Sequence, residues 1–78
     1  MMNAMTLAEA HGDEFRVVSL TAQGSERLRL LDLGFVPGTP IQRLRTGPLG
    51  DPIAYLVRGT VIALRIEQAQ TIEVEVAA

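Results

Sequence analysis

Seventy-eight residues with a formal charge of −2 allow one domain and only a small core, since a chain this short buries about 60% of the surface its unfolded form exposes. The absence of cysteine excludes a disulfide framework and a thiolate metal or redox site, and the acidic balance argues against a protein that coats nucleic acid. All seven basic residues are arginines, which suit local recognition of carboxylate or phosphate; base composition of the genome is an equally good account of that bias.

The amino-terminal stretch has no basic segment followed by a sustained apolar one, so it does not read as a secretory signal. The longest apolar run, Ile53 to Val57, is far below the roughly 20 residues of a membrane helix. A cytoplasmic protein is expected. Three methionines crowd the first five residues, so residues 1–5 are set aside as disordered or of uncertain start, and residues 6–78 are taken as the single domain.

Thr6-Leu7-Ala8-Glu9 matches a capping box at the start of a helical turn, which Gly12 closes. Phe15 to Leu20 reads as a strand with apolar residues on both faces. After the polar break Thr21 to Gly24, a helix is predicted over 25–33, with Ser25 as its amino-terminal cap, Glu26 in the first turn, and Leu28 and Leu31 facing the core. Gly34 can take the left-handed conformation that ends a helix, letting the Phe35 amide bond back to the Leu30 carbonyl. Pro37-Gly38 then turns the chain out.

Pro40 to Arg45 reads as a strand in which Ile41 and Leu44 are out of phase, the pattern of a bulge. Thr46 to Pro52 is dense in turn formers and forms an exposed loop. Ile53 to Arg58 and Val61 to Leu64 flank Gly59-Thr60, which predicts a tight type II′ hairpin. A short helical turn within residues 65–70 precedes Thr71 to Val76, where Ile72, Val74 and Val76 alternate with Glu73 and Glu75. Four or five short strands and one helix, with no room for parallel crossovers, predict a mainly β fold: a small antiparallel β-barrel with one inserted short α-helix, its edges hidden by closure.

His11, Asp13 and Glu14, near Glu9, gather ligands that suit a divalent metal such as ferrous iron, although their spacing matches no defined motif and a solvated turn explains them as well. No nucleophile with a supporting histidine and carboxylate, and no phosphate-cradling glycine loop, is present; the chain is not read as an enzyme. Leu28, Leu30, Leu31, Leu33 and Phe35 exceed what one face of a short helix can bury. The surplus makes a docking patch for a protein partner, with Arg27 and Arg29 at its rim, unless the barrel end and the 46–52 loop cover it. Phe15, Phe35 and Tyr55 are the only aromatics, too few for base stacking or for an aromatic-lined polyproline groove.

The run from Arg27 to Thr39, then Gly50-Asp51-Pro52, Arg58-Gly59-Thr60, Ile62 to Arg65 and Ile72-Glu73-Val74, resembles the FeoA family, ferrous iron transport protein A. The likeness extends from Leu7 to Val76. It implies an SH3-like barrel with an inserted helix and a small cytoplasmic accessory or regulatory protein of ferrous iron uptake. Its implied partner is FeoB, the membrane GTPase transporter, met through the transporter's cytosolic region. The residues expected at that contact are Arg29, Leu33, Phe35 and Asp51, the last within the 47–51 loop. No cofactor is required, weak binding of ferrous or another divalent ion is allowed for, and weak self-association would help so small a core. A similar domain ends the iron- and manganese-dependent repressors of the diphtheria toxin repressor family, so a metal-binding or metal-sensing module is the alternative function.

Overall fold

A computed structural model describes residues 5–77. The chain runs β1 (Met5–Thr6), β2 (Glu14–Leu20), α1 (Gly24–Leu33), β3 (Pro40–Thr46), β4 (Ile53–Val57), β5 (Thr60–Leu64), α2 (Ile66–Ala69) and β6 (Ile72–Val76). The strands form one antiparallel sheet in the order β1-β6-β2-β3-β4-β5. Of the residues set aside at the start, 1–4 lie outside those described, while Met5 pairs with Val74.

Two bulges keep the apolar residues on one side of the sheet. In β2 the register shifts between Val17 and Ser19, so Leu20 returns to the core face already occupied by Phe15 and Val17. The bulge expected in β3 lies between Arg43 and Arg45; Ile41 points inward and Leu44 outward. The resulting core includes Leu7, Phe15, Leu30, Phe35, Tyr55, Leu64, Ile72 and Val74, all at most 1% exposed. Val76 departs from the expected alternation and is exposed, because the strand ends there.

The fold is mainly β and barrel-like, with α1 inserted between β2 and β3. Among the described residues, however, the ladder does not close: β1 and β5 are the two ends of the sheet and do not pair with each other. The two described residues of β1 pair with β6, and α1 contributes Leu30 to the core.

The hairpin also differs from expectation. Val57 pairs with Thr60, so the turn residues are Arg58 and Gly59, with φ of 52° and 81°. Positive φ at both positions marks a type I′ turn, whose twist matches the flanking strands. Arginine rarely adopts that conformation, and here it places the turn one residue earlier than the glycine-first dipeptide predicts.

At the amino-terminal end of α1, Gln23 is the flanking residue and no side chain caps the helix, so Ser25 lies inside it. The carboxy-terminal end follows the sequence closely. Gly34, at φ 113°, sends its amide to the Leu31 carbonyl (3.0 Å), and the Phe35 amide reaches the Leu30 carbonyl (3.0 Å), the paired bonds of a Schellman turn. A Cβ at Gly34 would lie 3.0 Å from Cγ1 of Val57 and 3.1 Å from Cδ of Arg58. Gly34→Ala therefore combines backbone strain with crowding and should cost about 1–2 kcal/mol or more, a fall in Tm of roughly 4–15 °C in a thermal melt. An unchanged Tm would remove the glycine requirement.

Candidate docking surface

The expected contact residues divide once the fold is known. Arg29 stands exposed on α1 and lines an open trough of about 640 Å³ with Glu26, Ala63, Arg65, Glu67 and Gln68. Leu33 is half-buried against the core. Phe35 is 0% exposed, which corrects its assignment as a contact. The Schellman turn causes this: the residue after Gly34 folds back along the helix instead of continuing outward. Leu28, expected in the core, is 63% exposed, and its place is taken by Leu30. The surplus of leucine is real, but the exposed member is a different one.

Asp51 holds the 46–52 loop to the start of α2. Its Oδ1 accepts the Ile66 amide at 3.1 Å, and Oδ2 lies 3.9 Å from the Arg65 guanidinium. The Gln68 side chain accepts the Arg65 amide at 3.0 Å, so two side chains satisfy two of the amides at the start of this one-turn helix. Gly50-Asp51-Pro52 and Ala63-Leu64-Arg65, distant in sequence, thus meet in space. The Arg65 side chain is 67% exposed and the ion pair itself contributes little in water. Beside this anchor the loop presents Leu49, 94% exposed.

His11, Asp13 and Glu14 are all exposed, and among the described residues no three histidine, aspartate or glutamate side chains group where a metal ion could be held. Asp13 and Glu14 act through their backbone: their carbonyls accept the amides of Arg43 (2.7 Å) and Ala77 (2.9 Å). The donor set read from the sequence does not form a metal site. On the same side, the predicted capping box is present, with the Thr6 amide 3.0 Å from Oε1 of Glu9 and the Glu9 amide 3.3 Å from Oγ1 of Thr6.

Arg43 is the residue that sequence reasoning missed. Its guanidinium donates to the carbonyls of Gly12 (3.0 Å), Ala10 (2.9 Å) and Leu7 (3.3 Å), and Cζ lies 5.0 Å from the centroid of the Phe15 ring. One side chain thereby ties the turn after β1 to β3. A bulge at an arginine-rich strand was the only signal for it, since bulges re-aim side chains.

Tyr55 lies next to this cluster, fully buried, and among the described residues its hydroxyl has no hydrogen-bond partner. Burial pushes the phenol above its ordinary pKa, and the nearby Arg43 charge opposes the shift. The folded state then holds the proton more tightly than the unfolded chain. Stability from this group is present below about pH 10 and is lost as pH rises from there through the folded value. A pH series of thermal melts should show Tm falling above about pH 10, less steeply in Tyr55→Phe; identical alkaline slopes would contradict it.

A second trough of about 380 Å³, lined by Arg45, Pro48, Pro52, Ala54, Val61 and Ala63 among others, shares Ala63 with the first. The two make one surface along β5, bordered by α1 and by the loop. No helix among the described residues is long and apolar enough to cross a membrane.

Comparison with known proteins agrees with this architecture. The model of the FeoA domain matches residues 5–76. A fusion of Fe(2+) transport protein A with the Fe(2+) transporter FeoB, from Porphyromonas gingivalis strain ATCC BAA-308 / W83, is 40% identical over 72 residues. That match takes in 91% of this chain, which spans 8% of the fusion protein's length. Among solved structures, the FeoA protein of Chlorobium tepidum superposes with a TM-score of 0.86 at 40% identity, over 95% of this chain and 71% of that one. FeoA of Stenotrophomonas maltophilia complexed with zinc, described as a prokaryotic SH3 domain protein, gives a TM-score of 0.77 at 35% identity, over 92% of this chain and 91% of that one.

Proposed function

The chain belongs to the FeoA family, and on that premise we propose that it is an accessory or regulatory protein of ferrous iron uptake, acting by contact with the cytosolic region of a FeoB-type membrane GTPase transporter. The observation that carries this reading is the Porphyromonas gingivalis fusion, in which a relative at 40% identity is named as both proteins in one chain. Covalent linkage raises the effective concentration of two parts for each other, and fusion is useful where the parts must meet. What this chain offers a partner is surface. Leu28 and Arg29 are exposed on α1, Leu33 is half-buried there, and Leu49 is exposed in the 46–52 loop, so both elements present apolar area to a partner. Asp51 supports that surface by fixing the loop to α2, and Phe35 supports it from inside the core.

The zinc complex of the Stenotrophomonas maltophilia relative favours a second reading, a module that binds or senses a transition metal. Here the described residues supply no converging ligand set, so the contact reading is preferred. Anaerobic calorimetric titration with ferrous ion separates the two: the contact reading expects no saturable heat and no thermal shift, and a stoichiometric transition would favour the metal module. The contact itself is tested by a pull-down with the transporter's cytosolic region, with and without guanine nucleotide. Retention in at least one nucleotide state is expected, and no retention in either would refute the proposal.

A further inference from the structure

Ahead of β2, residues 5–12 form a strap whose hydrogen bonds fall into two sets. Within it, the amides of Glu9 (3.1 Å) and Ala10 (3.0 Å) donate to the Thr6 carbonyl, and the capping box of Thr6 and Glu9 adds two more bonds. All of these lie inside residues 6–10. They survive any movement that carries the strap as a whole.

The second set ties the strap to the sheet. Met5 and Thr6 pair with Val74 and Glu73, and the Leu7 amide donates to the Ile72 carbonyl (2.8 Å). The other tie is one side chain: the Arg43 guanidinium holds the carbonyls of Leu7, Ala10 and Gly12. Of the strap's side chains, Leu7 and Ala10 are the buried ones. Beyond them His11, Gly12 and Asp13 are exposed, and Gly12, at φ 104°, has open space around it, which suits a pivot. Immediately after it, the Asp13 carbonyl accepts the Arg43 amide (2.7 Å) and the chain is part of the sheet again.

The closed arrangement also carries a cost. Arg43 and Tyr55 are cross-strand neighbours, and Nε of the one and the hydroxyl of the other are buried with no hydrogen bond among the described residues. A buried polar group without a partner destabilises the state that buries it, and lifting the strap returns the guanidinium to water. Opening therefore gives up two buried apolar side chains and regains polar hydration. Segments with so few ties open separately from the body of a fold.

We propose that residues 5–12 open as one unit about Gly12 while the rest of the sheet stays folded, with Arg43 as the latch. Opening bares the edge of β6 at Ile72, Glu73 and Val74, together with the place of Leu7 in the core.

Hydrogen exchange of the full chain, followed amide by amide by NMR at low guanidinium concentrations, tests this. Leu7 reports the strap through its bond to Ile72. Tyr55 reports the sheet: Val57 and Thr60 close the β4–β5 hairpin as a hydrogen-bonded pair, and alternation makes Tyr55 and Ile62 the next such pair. In the wild type Leu7 should be at least tenfold less protected than Tyr55 and less sensitive to denaturant, because a partial opening exposes less surface. Ile62→Val lies in a strand that does not pair with the strap, and it weakens the open and closed forms alike. It should speed exchange at Tyr55 about 2- to 10-fold and leave Leu7 unchanged.

Arg43→Ala should speed exchange at Leu7 at least tenfold. Equal protection and equal denaturant dependence at Leu7 and Tyr55, or equal acceleration of both by Ile62→Val, overturns the separate opening. Unchanged exchange at Leu7 in Arg43→Ala overturns the latch. If Arg43→Ala does not fold, the wild type and Ile62→Val decide.

Discussion

Phe35→Ala is expected to abolish the folded state at physiological temperature. The ring is fully buried in the only core the described residues form, and truncating such a phenylalanine costs about 3–5 kcal/mol. A core of this size supplies roughly that much in total. Circular dichroism should show an unfolded chain or a Tm lower by more than about 15 °C, and a melt within a few degrees of wild type would contradict the burial. The consequence for function is practical: substitutions at Phe35 report on folding, so they cannot map a docking site. Leu28 and Leu49 can, because both are exposed and their replacement leaves the core intact.

Arg43→Ala is the second large effect. It leaves the carbonyls of Leu7, Ala10 and Gly12 without their donor and removes the cation from the Phe15 ring. Hydrogen bonds from a charged donor contribute about 1.5–3 kcal/mol each when both partners are removed from water, but Arg43 is half-buried and the freed carbonyls can be rehydrated. A total loss of about 2–3 kcal/mol is expected, or roughly 10–20 °C in Tm. Arg43→Lys should recover only part of it, since an ammonium cannot span three carbonyls with the fixed fork of a guanidinium. Equal melts for Arg43→Lys and wild type would mean that charge alone suffices.

Local chemistry was the legible part of this chain. The Thr6-Glu9 capping box, the Gly34 turn with its Phe35-to-Leu30 bond, the β3 bulge and the strand at Ile72 follow from residues close in sequence. Placement that depends on distant elements was not legible. Helical spacing makes Leu28 and Leu30 comparable; only the direction from which the sheet meets α1 buries one and exposes the other. The αL conformation of Arg58 is imposed by strand twist across the β4–β5 hairpin, and Arg43 reaches its carbonyls only because the bulge turns it toward the β1 side. The polar cluster at His11, Asp13 and Glu14 shows the converse error, since nearness in sequence did not bring the side chains together.

The candidate surface followed the same division. The exposure of Arg29 follows from a short helix carrying more than it can bury, and Asp51 stands out in the sequence as part of a family-like motif. The task of Asp51, fixing the loop to α2, required knowing that Arg65 and Ile66 lie beside it. The expectation of a closed barrel hid that, among the described residues, β5 pairs with β4 alone.

The most direct measurement of the central claim is a calorimetric titration of the transporter's purified cytosolic region into the wild-type chain and into Leu28→Asp/Leu49→Asp, each shown to be folded. Saturable binding by the wild type, weakened at least tenfold in the variant, is the predicted result. A wild-type chain that gives no saturable heat in either the guanine-nucleotide-free or the nucleotide-loaded state would contradict it.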